Sequence, residues 1–162
     1  ATAYDRLCEI AIALDDTRGF LKYAKKNAEA YPFDRQYYNL GLAYFGVDDW
    51  QGVVKSQKEA VEKFKQSPYI GAYYRQMGRA YMKLERDQTA ERTLTVGVQA
   101  VESRLSALKR VNGAARSSDE SRRLYDDRIG MLLLLKRLHT TYKAAEKLEL
   151  VERQLREAGY AP

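Results

Sequence analysis

The residue types that most often carry chemistry are sparse in this chain. It holds one histidine, His139, and one cysteine, Cys8. A soft-metal centre needs three or four such ligands brought together, so this pair supports no cluster. Paired carboxylates can share a proton or hold a hard cation, and Asp15-Asp16, Asp48-Asp49 and Asp126-Asp127 are such pairs. The first two fall where helices start. An aspartate there accepts hydrogen bonds from backbone N–H groups that lack a helical partner, so capping is the reading. The sequence has no Gly-rich phosphate loop, no serine elbow and no His-Glu-x-x-His motif. The expectation is a non-enzymatic chain with no catalytic residue, no metal and no cofactor.

Charge is the next candidate. The 162 residues carry a formal charge of +6. Residues 1–70 hold 10 basic and 10 acidic groups, so the surplus lies in the second half. It begins at Arg75, Arg79, Lys83, Arg86 and Arg92 and continues at Lys109, Arg110, Arg116, Arg122 and Arg123. Such a stretch is either a solvated helix face or a surface for an acidic partner. Nucleic acid ranks below a protein partner. Arg104 to Arg123 could meet phosphates and Tyr125 could stack on a base, but Glu102, Asp119 and Glu120 interrupt the basic run. Apolar runs such as Gly130 to Leu135 are too short to span a bilayer. No signal peptide opens the sequence, and one cysteine forms no internal disulfide. The compartment stays open, with a soluble cytoplasmic protein preferred over a periplasmic or envelope one.

These side chains must be held by helices. Apolar residues recur at helical spacing nearly throughout, and only three prolines and ten glycines interrupt them. The punctuation predicts about eight helices. The first runs from Ala3 to Leu14, the second from Thr17 to Ala30, and Pro32 stops the second. Asp34 is expected to cap the third, which reaches Gly46. Asp48-x-x-Gln51 reads as a capping box for the fourth, and Ser67-Pro68 as the cap and first turn of the fifth. Asp87 is expected to cap a long sixth helix, whose Leu94, Val98, Val101, Leu105 and Leu108 keep one apolar stripe. A loop over 112–118 follows, and Ser117-x-x-Glu120 suggests a new cap. The seventh helix is expected to end at Leu138, with His139-Thr140-Thr141 as the turn into the eighth.

The helices repeat. Tyr37-x-x-Leu40-Gly41-x-x-Tyr44 returns as Tyr74-x-x-Met77-Gly78-x-x-Tyr81. Tyr4-x-x-Leu7-Cys8-x-x-Ala11 precedes them, and a degenerate copy is read at Ile129-Gly130-x-x-Leu133. Cys8 to Gly41 is 33 residues, Gly41 to Gly78 is 37, and Gly78 to Gly130 is 52. A glycine inside a helix costs about 1 kcal/mol relative to alanine, so a repeated glycine implies a repeated need for close helix approach. Cys8 shares that slot and is read as a packing residue.

This pattern resembles the tetratricopeptide repeat family. Ala90, Leu94 and Gly97 continue it on the second helix of the third repeat, and Val53 and Ala60 on that of the second. Gln57 departs from the pattern where a large apolar residue is expected, and the fourth repeat needs an insertion to align Ala144 and Leu148. The resemblance implies an all-α, right-handed superhelical solenoid of antiparallel helix hairpins, one domain over 1–162. The repeats would cover about 1–33, 34–67, 68–112 and 119–158.

It further implies a concave groove lined by the first helix of each hairpin. Groove positions would be Asp5, Glu9 and Ile12, then Tyr38, Asn39, Leu42 and Phe45, then Arg75, Gln76, Arg79 and Met82. That groove would be acidic at one end, apolar and aromatic in the middle, and basic beyond. It would suit an extended or helical partner segment with an apolar anchor and an acidic flank. A subtype that grips a terminal carboxylate is disfavoured, because Asp5 and Glu9 stand where it needs Lys and Asn. The expected function is a protein-interaction adaptor, scaffold or assembly chaperone. The alternatives are a self-associating, homo-oligomeric solenoid or part of a longer array, and then nucleic-acid binding.

Overall fold

Turns of one design fold the chain back on itself at four places. Asp15, Asp48, Glu85 and Lys143 each adopt the left-handed backbone conformation, with φ of 54°, 58°, 57° and 52°. In each turn the next residue's N–H reaches back to a carbonyl five residues earlier. Asp16 bonds to Ala11 at 2.8 Å, Asp49 to Tyr44 at 3.0 Å, Arg86 to Tyr81 at 2.9 Å and Ala144 to His139 at 2.9 Å. This bond satisfies a carbonyl that the ending helix would leave orphaned.

The computed structural model describes residues 2–112 and 119–160. Among them are eight α-helices and no strand. They are α1 (Ala3–Ala13), α2 (Thr17–Ala30), α3 (Asp34–Gly46), α4 (Trp50–Lys63), α5 (Ile70–Lys83), α6 (Asp87–Asn112), α7 (Asp119–Thr141) and α8 (Ala145–Glu157). No helix among the described residues is long and apolar enough to cross a membrane. Each helix packs on the next, and α3 touches α5 as α5 touches α7. No such contact joins α1 to α3 among the described residues. The short turns make α1/α2, α3/α4, α5/α6 and α7/α8 antiparallel pairs.

Local chemistry explains most of the helix starts. Thr2 and Asp5 form a capping box on α1, at 3.0 and 2.7 Å. Asp16 accepts from the Gly19 N–H, and Asp49 from the Gly52 N–H, both at 2.8 Å. Several expected caps sit elsewhere. Asp48 is the turn residue and Asp49 the cap, so the capping box with Gln51 does not form. Phe33, not Asp34, caps α3, and the Asp34 carboxylate takes the Arg35 N–H and the Ser67 hydroxyl instead. Ser67 is spent in a turn before α5, accepting from the Tyr69 N–H at 3.0 Å, and α5 starts at Ile70. Asp87 is the first residue of α6. The 112–118 loop and its cap fall outside the described residues, except Asn112, which ends α6.

α7 runs past Leu138 to Thr141, because its apolar stripe of Leu132, Leu135 and Leu138 stays buried to that point. His139 is therefore a buried helical residue, and Tyr142, Lys143 and Ala144 make the turn. Aligning the four turns sets His139 against Tyr81, Tyr44 and Ala11. The fourth copy is thus six residues later than the Gly130 reading, with Leu135 facing the role of Met77 and Lys136 that of Gly78. A Cβ on Gly130 would meet Arg75 Cδ of α5 at 2.9 Å, so Gly130 serves a different contact.

Two glycines do stand at close helix approaches. A Cβ on Gly78 would lie 2.4 Å from Leu94 Cδ2 of the paired helix. On Gly41 it would lie 2.3 Å from Gln57 Nε2 of the paired helix and 1.9 Å from Gln76 Oε1 of α5. Gln57 is fully buried and donates to the Tyr37 carbonyl at 2.8 Å, so a polar side chain fills the expected apolar slot with its amide nitrogen satisfied. The main core joins α3 to α8, with Tyr73, Leu94, Val101, Leu124, Met131 and Leu132 fully buried. A second, smaller cluster of Cys8, Ala24, Ala28, Leu40 and Ala43 ties α1 and α2 to α3.

Candidate functional site

On α3, Tyr38, Leu42 and Phe45 follow spacings of four and three and so share one face. On α5, Arg75, Arg79 and Met82 do the same at the equivalent repeat positions. Because α3 and α5 are in contact, these two ridges form one surface.

Two stacks frame it. The Tyr38 ring lies on the Tyr69 ring at 4.9 Å, and the Arg123 guanidinium from α7 sits 4.6 Å from the far partner's centroid, that of Tyr69. The Phe45 ring meets Trp50 edge-on at 4.9 Å, while the Arg79 guanidinium lies 4.6 Å from Phe45 and Lys83 Nζ 5.7 Å from Trp50. A cation over an aromatic face is drawn by the ring quadrupole, and stacking fixes an arginine that would otherwise swing freely. Leu42 lies one helical turn from each stack and is 40% exposed. Asn39 beside it is half-buried.

Arg75 points elsewhere. Its guanidinium lies 3.3 Å from Asp127 Oδ1 of α7, whose side chain is 4% exposed. Burial pushes the Asp127 carboxyl up to about 6, against the pull of Arg75 and Arg123. Gln76 is buried against Gly41, so it lines the interior. Gln76 is thus an interior residue and Arg75 is engaged in an ion pair, while on this surface Arg79 and Lys83 are exposed and Arg123 is half-buried.

The acidic end of the expected groove also changes. Asp5 is buried, and its two oxygens accept from the Thr2 N–H and Asn27 Nδ2, each at 2.7 Å. Burial pushes its carboxyl up, yet the hydrogen bonds from Thr2 and Asn27 outweigh it and hold it below the usual range. Glu9 is exposed, but α1 does not touch α3, so neither joins the α3/α5 surface. The structure brings together Tyr38, Leu42, Phe45 and Arg79, and leaves out Asp5, Glu9, Arg75 and Gln76.

Compared with protein-family models and with curated proteins, the sequence matches none. Tyr69, Trp50, Lys83 and Arg123 are the surface residues that the repeat pattern did not mark. Tyr69 and Trp50 flank helix starts rather than sit inside a repeat motif, and Arg123 comes from the irregular fourth unit. Asp127 carried a signal, since it belongs to the Asp126-Asp127 pair that no helix start explained.

Other polar clusters hold helices together. His139 Nε2 lies 3.4 Å from Glu91, which also takes Lys147 at 2.5 Å, and the Tyr142 hydroxyl donates to Asp87. Burial raises the Cys8 thiol, and the nearby Asp5 and Glu9 charges add to this, which keeps it protonated. No group of three potential metal ligands occurs among the described residues. In the basic segment Arg104 pairs with Glu120 at 2.7 Å, Arg122 with Asp119 at 3.4 Å, and Arg128 with Glu102 at 2.9 Å.

Proposed function

We propose that the chain is a non-enzymatic protein-interaction module of the tetratricopeptide type, a right-handed stack of helix hairpins. Its α3/α5 face takes a segment of a partner protein. The four like turns and the two glycine contacts support the hairpin-repeat part of this reading. The observation that carries the function is the exposed Leu42 set between two cation–aromatic stacks. Interface hot spots are rich in Tyr, Trp and Arg, and their aromatic anchors are rigid before the partner arrives. Here the stacks hold Arg79 and Arg123 in place, so binding costs little side-chain entropy. The partner segment carries an apolar anchor for Leu42 and acidic residues for Arg79, Lys83 and Arg123. Nucleic acid is the weaker reading, because Arg104 and Arg122 of the basic segment, with Arg128 just beyond it, already have carboxylate partners.

A random peptide display library selected on the wild-type chain tests this. Binders should share an apolar residue flanked by Asp or Glu. Leu42→Asp and Arg79→Glu should each weaken them at least about tenfold, about 1.4 kcal/mol. Both residues are exposed, so the helical content should not change. Selected peptides that bind the double variant as well as wild type would place the site elsewhere.

A further inference from the structure

The second helices of the first three hairpins form one layer, since α2 and α4 both pack on α3, and α4 and α6 both on α5. Among the described residues these three do not touch one another. A groove of about 410 Å³ separates α2 from α4, floored by Tyr37, Leu40 and Tyr44 of α3. Each of the three has both of its sequence neighbours packed on it, and its outer face is still open to solvent. Counted from the turn residues Asp16, Asp49 and Arg86, that face repeats its charge. Lys22, Lys55 and Arg92 hold the same place on α2, α4 and α6, and all three are exposed. One turn on, exposed Lys25 and Lys58 form a second row. These two lean on rings of the following hairpin, Lys25 Nζ 5.1 Å from the Tyr44 centroid and Lys58 Nζ 6.0 Å from that of Tyr81.

None of these five cations has a carboxylate within ion-pair range among the described residues. Like charges three or four residues apart on a helix repel. Lys22 stands three residues from Lys25 and four from both Arg18 and Lys26, and Lys55 stands three from Lys58. A repulsion repeated at one register, with nothing to relieve it, implies a use. Carboxylates border the two rows. Asp15 and Asp48 lie in the turns on one side, and Glu29 and Glu62 lie one turn beyond the second row on the other, all of them exposed. The cations therefore form a band about two helical turns wide that crosses the helices.

We propose that this band is a second docking surface, which takes an extended acidic segment of a partner protein laid across α2, α4 and α6. Its shape selects the partner. A bilayer of anionic lipid resting on this layer would also meet Glu29 and Glu62. The ammonium groups of Lys25 and Lys58 cover the rings of Tyr44 and Tyr81, on which a nucleic-acid base would have to stack. A single extended run of Asp or Glu follows the narrow band, keeps clear of its acidic borders and meets each helix in turn.

The probe is a fluorescein-labelled peptide of about ten glutamates, roughly 33 Å long when extended, titrated by anisotropy at low salt. The chain carries Leu42→Asp and Arg79→Glu, which disable the α3/α5 face, so that this proposal and the one for that face fail separately. The peptide should bind, and binding should weaken as salt rises. Adding Lys22→Gln, Lys55→Gln and Arg92→Gln together should weaken it at least about tenfold without lowering Tm, because these changes relieve repulsion. Lys109→Gln, Arg137→Gln and Arg153→Gln remove the same charge from exposed sites outside the band and should cost far less affinity. Equal losses in the two triple variants would reduce the effect to net charge and overturn the band, as would a peptide that does not bind. An oligothymidylate of ten nucleotides, or phosphatidylserine vesicles, bound more tightly than the peptide and released by the band variant would overturn the acidic segment in favour of nucleic acid or lipid.

Discussion

At Asp127 the fold places a carboxyl where water hardly reaches, with Arg75 and Arg123 near but Asp126 beside it. Its pKa rises from 3.8 to about 6, with burial the largest cause. The unfolded chain therefore loses this proton first as pH rises. Stability falls between about pH 4 and about pH 6 and is flat above, a loss of about 3 kcal/mol from this group. Asp127→Asn should remove that slope, so the variant gains on wild type as pH rises through this window. Urea unfolding of both proteins across the window reads the difference, and parallel curves would refute it. The glycine slots make a second residue-scale contrast. Alanine gains about 1 kcal/mol of helix propensity at either site. At Gly78 the new Cβ meets the fully buried Leu94, and overpacking costs about 1–3 kcal/mol. At Gly41 it meets the ends of two glutamines, one of which, Gln76 Oε1, has no hydrogen-bond partner and can swing. Gly78→Ala should therefore lower Tm more than Gly41→Ala, and equal Tm values would deny the difference in how the neighbours give way.

The four turns decide the elements. Each holds a non-glycine residue at positive φ, a conformation that costs an L-residue about 1 kcal/mol, and that glycine adopts freely. Glu85→Gly and Lys143→Gly should each stabilise by about 0.5 kcal/mol after the added freedom of the unfolded chain is subtracted. Glu85→Ala should gain nothing, and thermal unfolding of the three variants separates these outcomes. The same turns show what was legible in the sequence. Helix existence and order followed from apolar spacing, and α2 runs over the residues expected of it. Caps slipped by one or two residues because several Asp and Ser side chains compete for each start, and only the turn geometry chooses between Asp48 and Asp49. The fourth repeat was misread at Gly130 because a small residue inside a helix also serves contacts outside its own hairpin, here with Arg75. Its true register is carried by His139, which has none of the tyrosine character that marks the second and third copies.

At the scale of the molecule, the surface and the stability of the array depend on the same asymmetry. The shared face of α3 and α5 was legible where it follows the repeat, at Tyr38, Leu42, Phe45 and Arg79. The site was not legible at Asp5 and Arg75, whose buried hydrogen bond and ion pair reach Asn27 of α2 and Asp127 of α7. The first hairpin stands apart because α1 misses α3 and its cluster is built on Cys8, Ala24 and Ala28, which bury little area each. The later hairpins bury whole Leu, Met and Tyr side chains, each worth about 1.5–3 kcal/mol. In a stack whose units contact mainly their neighbours, stability is close to a sum of local terms, so a weak end opens before the rest. Native-state hydrogen exchange should therefore show α1 and α2 opening together at a free energy well below that of α5, α6 and α7. Ala28→Gly should widen the gap by loosening α2 from α3 while leaving the α5–α7 amides unchanged. Exchange of all eight helices through one global opening would mean that the α2/α3 contact transmits the full stability of the main core, and the first hairpin would then be an integral part of one cooperative unit.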